Sequence, residues 1–155
     1  DYQDGEKVLR RSLYFRHAYE KQMTMLTLFD AASPTECYRR SNSILPQQAL
    51  VLSNSDLAIN MATELAKQMD QKFPGDKQFV DVLFVQVLTR EPTDEERREC
   101  VEFLSEQQKR LADPTQLTSF ETGQEKTSLP EDPRLRARAN LVHVLMNHND
   151  FITVR

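Results

Sequence analysis

Glycine is scarce in this chain, and that scarcity limits the available folds more than any other feature. Only three glycines occur among the 155 residues, at positions 5, 75 and 123. Glycine turns freely through positive φ, so a chain with few glycines has few tight hairpin turns available. The sequence therefore favours helices joined by short connections over a sheet built from hairpins.

The clearest predicted helix begins after Thr93. Thr93 and Glu96 have the spacing of a capping box, in which each side chain accepts a hydrogen bond from the other residue's backbone amide. The acidic residues 94–96 also lie at the positive end of the helix dipole. Apolar residues then recur at helical spacing as far as Asp113, namely Cys100, Val101, Leu104 and Leu111. We interpret the acidic cluster as a helix start and not as a pair of catalytic carboxylates.

Three more helices are predicted ahead of Thr93. One begins at Pro46, and a second follows Asp56 and ends at residues 74–75, the dipeptide Pro-Gly. The inner face of the second has an apolar residue at every fourth position: Leu57, Met61, Leu65 and Met69. Residues 79–88 are rich in Val, as strands are, but their apolar residues also recur every fourth position, with Asp81 as the lone charge. We interpret them as a buried helix.

The last predicted helix has Asp132 as its cap and Pro133 at its first position. Its inner face is predicted to comprise Leu135, Ala139, Val142 and Met146. Its outward face is predicted to carry Arg134, Arg136 and Arg138. The predicted fold is all-α, a compact orthogonal or irregular bundle of about five helices with an irregular N-terminal segment.

Length and composition predict a single domain over residues 1–155. Within it, residues 113–132 are polar and contain two prolines and a glycine. Twenty residues without secondary structure are long for a compact domain, so we predict a mobile loop or insertion there.

Charge and hydropathy exclude two classes of function. The formal net charge is −4, whereas nucleic-acid binding relies on an excess of Lys and Arg at phosphates. No stretch of about 18 apolar residues exists, as a membrane-spanning helix would need. We therefore predict neither nucleic-acid binding nor membrane insertion.

Motifs for metal, haem, nucleotide and nucleophile chemistry are missing from the sequence. The histidines are His17, His143 and His148, and none has the spacing of a zinc motif. No CxxCH haem attachment, GxSxG elbow or glycine-rich phosphate loop occurs. The sequence predicts no metal and no cofactor in this chain, and it leans away from an enzyme with a complete catalytic site.

The two cysteines, Cys37 and Cys100, lie far apart in sequence. They are either free buried thiols or one long-range disulfide, and their number does not reveal the redox compartment. Cys37 precedes Arg39 and Arg40, and neighbouring cations can lower a thiol pKa. A reactive thiol is the alternative at that position.

The candidate site for an anion or partner consists of Arg39 and Arg40 with Asp30 and Cys37. Guanidinium groups bind carboxylate or phosphate through two parallel hydrogen bonds. The structural alternative is that both arginines pair internally with Asp30 or Glu36. Convergence of the four residues on an open pocket would favour a site, and mutual pairing would favour the structural role.

Six short motifs follow one another along the chain. They are Arg-Arg-Ser-Leu-Tyr at 10–14, Leu-Phe-Asp at 28–30, Cys-Tyr-Arg-Arg at 37–40, Pro-Gln-Gln-Ala-Leu-Val-Leu-Ser-Asn at 46–54, Thr-Arg-Glu-Pro-Thr at 89–93 and Val-Leu-Met-Asn-His-Asn-Asp-Phe at 144–151. In this order they resemble the C-terminal part of the planctomycete PSD-type domain of unknown function (domain of unknown function 1553). The resemblance covers almost the whole chain outside residues 113–132.

That resemblance implies a larger parent protein, of which this chain would be a C-terminal fragment. It implies a periplasmic, cell-envelope or secreted location and partner domains in the same parent, a cytochrome c domain among them. We expect a helical packing or interaction module. The alternative is part of an exported enzyme, acting on saccharide or in cytochrome-linked redox chemistry, whose site an N-terminal portion completes.

Overall fold

The structure, a computed structural model, describes residues 46–113 and 130–152, with residues 11, 14 and 29 besides, and most of these residues are helical. The helices described are α1 (Pro46–Asn54), α2 (Asp56–Lys72), α3 (Asp76–Leu88), α4 (Asp94–Ala112), α5 (Pro133–Met146) and α6 (Asn149–Ile152). No strand occurs within these ranges. The predicted all-α class is confirmed, and so is the helical interpretation of residues 79–88.

Local signals position the helix starts as predicted. Pro46 opens α1, and the side chain of Asp132 accepts a hydrogen bond from the Arg134 amide at 3.0 Å to cap α5. The short helix α6 was not predicted. The predicted irregular N-terminal segment and most of the predicted loop over 113–132 lie outside the described residues.

The chain divides after Leu57 into two compact units. In the first unit, two side chains at the end of α1 donate hydrogen bonds to carbonyls of the preceding turn. Ser53 donates to the Ala49 carbonyl at 2.8 Å and Asn54 to the Leu50 carbonyl at 2.9 Å. The second unit begins at Ala58 and contains the helices from α3 onward and most of α2. The prediction of one domain over 1–155 stays a prediction.

The core of the second unit is centred on α3. Phe79, Val80 and Leu83 are completely buried there, because apolar residues at three- and four-residue spacing face the bundle from most sides of the helix. Helices α4 and α5 pack against each other and both contact α3. From α2, the core receives Ala62, Ala66 and Met69. Burial of each large side chain contributes about 1.5–3 kcal/mol.

Arg138 corrects the prediction that all three arginines of α5 face outward. It is completely buried. Its Nη1 donates to Asp70 at 2.7 Å and to the Phe73 carbonyl at 2.9 Å, while Nη2 donates to the Pro74 carbonyl at 2.9 Å and to Asp76 at 2.5 Å. The guanidinium thus joins the end of α2 to the beginning of α3.

The beginning of α3 lacks a side-chain cap, and Arg138 contacts it through the Asp76 carboxylate in its first turn. Gly75 occupies the N-cap position and provides no hydrogen-bonding side chain. The guanidinium of Arg138 also lies 4.3 Å from the centre of the Phe79 ring, while its Nε has no hydrogen-bond partner. Arg134 adds a second donor to the Pro74 carbonyl. Two arginines of α5 therefore hold the connection between α2 and α3 in place.

Candidate functional site

The turn between α3 and α4 is fixed at both ends by local backbone features. Thr89 ends α3 with φ of 57°, in the left-handed region that β-branched residues rarely adopt. Thr93 begins α4 with the predicted capping box: its hydroxyl accepts from the Glu96 amide at 3.2 Å, and its amide donates to the Glu96 carboxylate at 2.8 Å. The predicted role of this motif as a helix start is confirmed.

Loss of this cap should have a measurable cost. We expect Thr93→Ala to lower the free energy of unfolding by about 1 kcal/mol, because the Glu96 amide loses its acceptor at the helix start. Thr93→Ser keeps the hydroxyl and is the matched control, which should stay close to the wild type. Urea unfolding followed by circular dichroism measures both, and equal midpoints for Ala and Ser would contradict the capping role.

Arg90 connects this turn to the C-terminal helix α6. Its Nη1 and Nη2 donate to the two carboxylate oxygens of Glu96 at 2.9 and 2.7 Å, and its Nε donates to Asp150 at 3.0 Å. The guanidinium also lies 5.4 Å from the centre of the Phe84 ring. Two of the six sequence motifs, at 89–93 and 144–151, therefore meet in one ion-pair network.

The electrostatics of this network shift the pKa values of Glu96 and Arg90. Hydrogen bonds from Arg90 lower the pKa of Glu96 to about 2, and those to Glu96 and Asp150 raise the pKa of Arg90. A carboxylate with so low a pKa is ionised near neutral pH and does not serve as a general acid there. The network is suited to holding the helices together.

A groove lies beside this turn, between α3 and the start of α4. It has a volume of about 340 Å³ and is lined by Asp81, Val82, Val85, Glu91, Pro92 and Arg97. Asp81, Val82 and Val85 share one face of α3, since residues three and four apart are neighbours on a helix. Val85 is 52% exposed, whereas Pro92 is buried.

Arg97 crosses from α4 to α3 at the groove. Its Nε donates to Asp81 at 2.5 Å, and its Nη1 donates to Asp94 at 2.6 Å. The bond to Asp81 is the main reason why the pKa of Arg97 is raised. The groove therefore combines an apolar floor with the carboxylates of Asp81 and Glu91, and its guanidinium is already engaged by Asp81 and by Asp94 outside the lining.

Cys100 is a free cysteine on α4. Its partial burial, aided by the charges of Glu96 and Glu99, raises the pKa of the thiol to about 11. Because the thiolate is the nucleophile, this environment suppresses reactivity. Cys100 is thus a poor candidate for nucleophilic catalysis.

This burial predicts slow alkylation of Cys100. In a Cys37→Ser variant at pH 8, we expect about a hundredfold less thiolate in the folded chain than in the unfolded chain, given a pKa near 11 against the ordinary 9. The rate of reaction with iodoacetamide, with and without denaturant, measures the difference. Similar rates in both states would show that the thiol is open to solvent.

The residues predicted as an anion or partner site, Asp30, Cys37, Arg39 and Arg40, lie outside the described residues. Across the described ranges, no group of three or more His, Cys, Asp or Glu side chains could hold a metal ion. No helix within the same ranges is long and apolar enough to cross a membrane.

Comparison with known protein families shows which family the chain belongs to. The family PSD1, described as "Protein of unknown function (DUF1553)", matches residues 1–104, which are 104 of the 155 residues. The chain belongs to this family. No curated protein and no solved structure matches it. The predicted family is confirmed, and five of the six motifs lie within the matched residues, whereas the motif at 144–151 lies beyond them.

Within this PSD1 chain, the motif at 89–93 divides into two parts. Arg90 and Thr93 stabilise the turn and the helix start, while Glu91 and Pro92 line the groove. The family match includes all of these residues but ends before α5 and α6. Sequence reasoning identified the cap but missed the groove. The signal for it was Asp81, the lone charge among the mostly apolar residues 79–88.

Proposed function

We propose that the chain is a helical packing and interaction module, without a complete catalytic site of its own, within a larger exported bacterial protein. One observation carries the proposal: Arg90, Arg97 and Arg138 each bind two carboxylates of the same chain. Active sites typically hold titratable groups with pKa values near the working pH. The pKa values of Glu96 and Cys100 are displaced away from neutrality, which supports a structural role for these groups.

The partners in this proposal are other domains of the same parent, including a cytochrome c domain. Membership of the family supports a parent of this kind, because the resemblance implies such neighbours. Exposed apolar side chains near the end of the chain also support packing. Val144 is 54% exposed, Phe151 45% and Ile152 43%. Burial of such side chains against another domain would be favourable.

Hydrogen exchange tests the packing role. We expect amides of residues 133–152 to exchange more slowly in the full-length parent than in the isolated 155-residue chain, since a docked surface opens less often. Amides of the buried helix α3 provide the internal control and should differ little. Equal exchange of residues 133–152 in the two proteins would contradict a packing module.

The proposed location is the periplasm, the cell envelope or the extracellular medium. Fractionation of cells that produce the full-length parent tests it, with cytoplasmic and periplasmic marker enzymes measured in each fraction. We expect the parent to follow the periplasmic marker or to appear in the envelope or the medium. Recovery with the cytoplasmic marker would contradict this part of the proposal.

A further inference from the structure

The groove between α3 and α4 has a shape and charge that select a particular kind of partner. We propose that it binds an arginine or lysine side chain, with an adjacent apolar residue, from an extended segment of a partner protein. This inference rests on the proposed interaction role and specifies the chemistry of the partner.

The floor of the groove is apolar and accessible. Val85 is 52% exposed, while its neighbour Val82 is half-buried, since it also packs against the core. Pro92 forms an apolar wall opposite them. These three side chains can cover the aliphatic stem of a long basic residue, which buries its methylene groups while its charged end stays at the rim.

The charge at the rim favours a cation. Asp81 and Glu91 line the groove together with Arg97, and Asp94 accepts a hydrogen bond from Arg97 just outside the lining. Three carboxylates thus face one guanidinium, and that guanidinium is engaged by Asp81 and Asp94. The local net charge is negative, so an anionic segment would be repelled and a cationic one attracted.

The wall of the groove is formed before any partner arrives. The guanidinium of Arg90 binds both oxygens of Glu96, and the capping box fixes Thr93 relative to the same carboxylate. Glu91 and Pro92 lie between these two fixed points, and the ring of Pro92 restricts its own φ. Little ordering of the turn is needed on binding, which lowers the entropic cost.

The size of the groove limits what can occupy it. Its volume of about 340 Å³ is at the lower end of ligand sites, which typically span about 300–1,000 Å³. One long side chain and part of its neighbour fit this space, but a folded surface does not enter it. Affinity from such a contact is weak, so docking in the parent would rely on tethering within the same protein.

A peptide titration tests the inference directly. The probe is the acetylated and amidated tetrapeptide Gly-Arg-Val-Gly, titrated into the isotope-labelled 155-residue chain at low ionic strength and followed by NMR. We expect chemical-shift changes centred on Val85 and Glu91, with weaker binding at higher salt. The matched peptide with citrulline in place of arginine has the same shape without the charge and should cause no comparable changes.

Two variants locate the binding on the chain. Glu91→Gln removes one rim carboxylate and should raise the peptide Kd about two- to fivefold, the size expected for one exposed ion pair. Glu99→Gln makes the same chemical change on α4 outside the groove and should leave the Kd unchanged. Thermal melting of both variants confirms that they are folded.

Three results would overturn the inference. They are equal shifts with the citrulline peptide, equal effects of the two glutamate variants, and no localised shifts at a peptide concentration of about 10 mM, where even millimolar binding saturates. None of them affects the hydrogen-exchange comparison, so failure of this inference is distinguishable from failure of the proposed packing role.

Discussion

Replacement of Arg138 by alanine should lower the free energy of unfolding by about 3 kcal/mol, the low end of the range for breaking a buried ion pair, because Asp70 and Asp76 are 32% and 38% exposed and stay partly solvated. The buried guanidinium binds Asp70, Asp76 and the carbonyls of Phe73 and Pro74. Its loss removes a donor from both carboxylates and from the Phe73 carbonyl, while the Pro74 carbonyl keeps Arg134, and it opens a cavity beside the Phe79 ring. Urea unfolding followed by fluorescence or circular dichroism gives the difference.

Two further variants identify the cause of that loss. Arg136→Ala changes an arginine of the same helix that is not buried, and it should change stability by no more than about 0.5 kcal/mol. Arg138→Lys keeps the positive charge but loses the planar fork of donors, so it should recover only part of the stability. Full recovery with lysine would show that charge alone matters. A cost for Arg138→Ala similar to that of Arg136→Ala would refute the clamp between α2 and α3.

Replacement of Arg90 by alanine should cost about 2–3 kcal/mol, the usual range for hydrogen bonds to charged groups that include a two-point pair. The change removes the donor of both Glu96 oxygens and detaches the α3–α4 turn from Asp150 on α6. Arg98→Ala is the control, because Arg98 is exposed and its nearest pair distance is 3.8 Å. Chemical denaturation of both variants measures the difference, and equal costs would contradict the network.

The same network predicts a dependence on acid. The pKa of Glu96 is lowered in the folded chain from 4.5 to about 2. Its contribution to stability is therefore fully present above pH 4.5 and is lost as the pH falls towards 2. The difference in stability between the wild type and Glu96→Gln should shrink over that interval. A constant difference between pH 6 and pH 2 would show that the ionised carboxylate contributes nothing.

The helix positions could be predicted from sequence because their determinants are local. Thr93 and Glu96 are three residues apart, Asp132 directly precedes Pro133, and Pro74 follows the end of α2. Each signal acts within one turn of helix, so no knowledge of the fold is required. The helix α6 escaped prediction because four residues carry too little periodicity.

The burial of Arg138 could not be predicted from its residue type, because charged residues generally lie at the protein surface. Its partners Asp70 and Asp76 lie 68 and 62 residues earlier in the chain. Spacing did contain the signal: Arg138 follows Leu135 by three residues and precedes Val142 by four, which places it on the inner face of α5. The general preference of arginine for the surface outweighed that signal in our prediction.

The groove was beyond sequence reasoning for a similar reason. Its floor comes from α3 and its wall from the turn before α4, so it exists only when the two helices pack together. The candidate residues taken from sequence, Asp30, Cys37, Arg39 and Arg40, remain a prediction, since they lie outside the described residues. If these four residues converge on an open pocket, they form a binding site. If they pair with one another, their role is structural.

Our central claim is that the ion-paired arginines of the second unit, Arg90, Arg97 and Arg138, stabilise the fold. When a charged residue is kept for function at a cost in stability, its replacement by a neutral residue commonly makes the protein more stable. Thermal unfolding of Arg97→Gln tests this directly, with Arg110→Gln as an exposed control on the same helix. We predict a Tm below that of the wild type for Arg97→Gln and an unchanged Tm for Arg110→Gln. A Tm of Arg97→Gln equal to or above that of the wild type would contradict the claim.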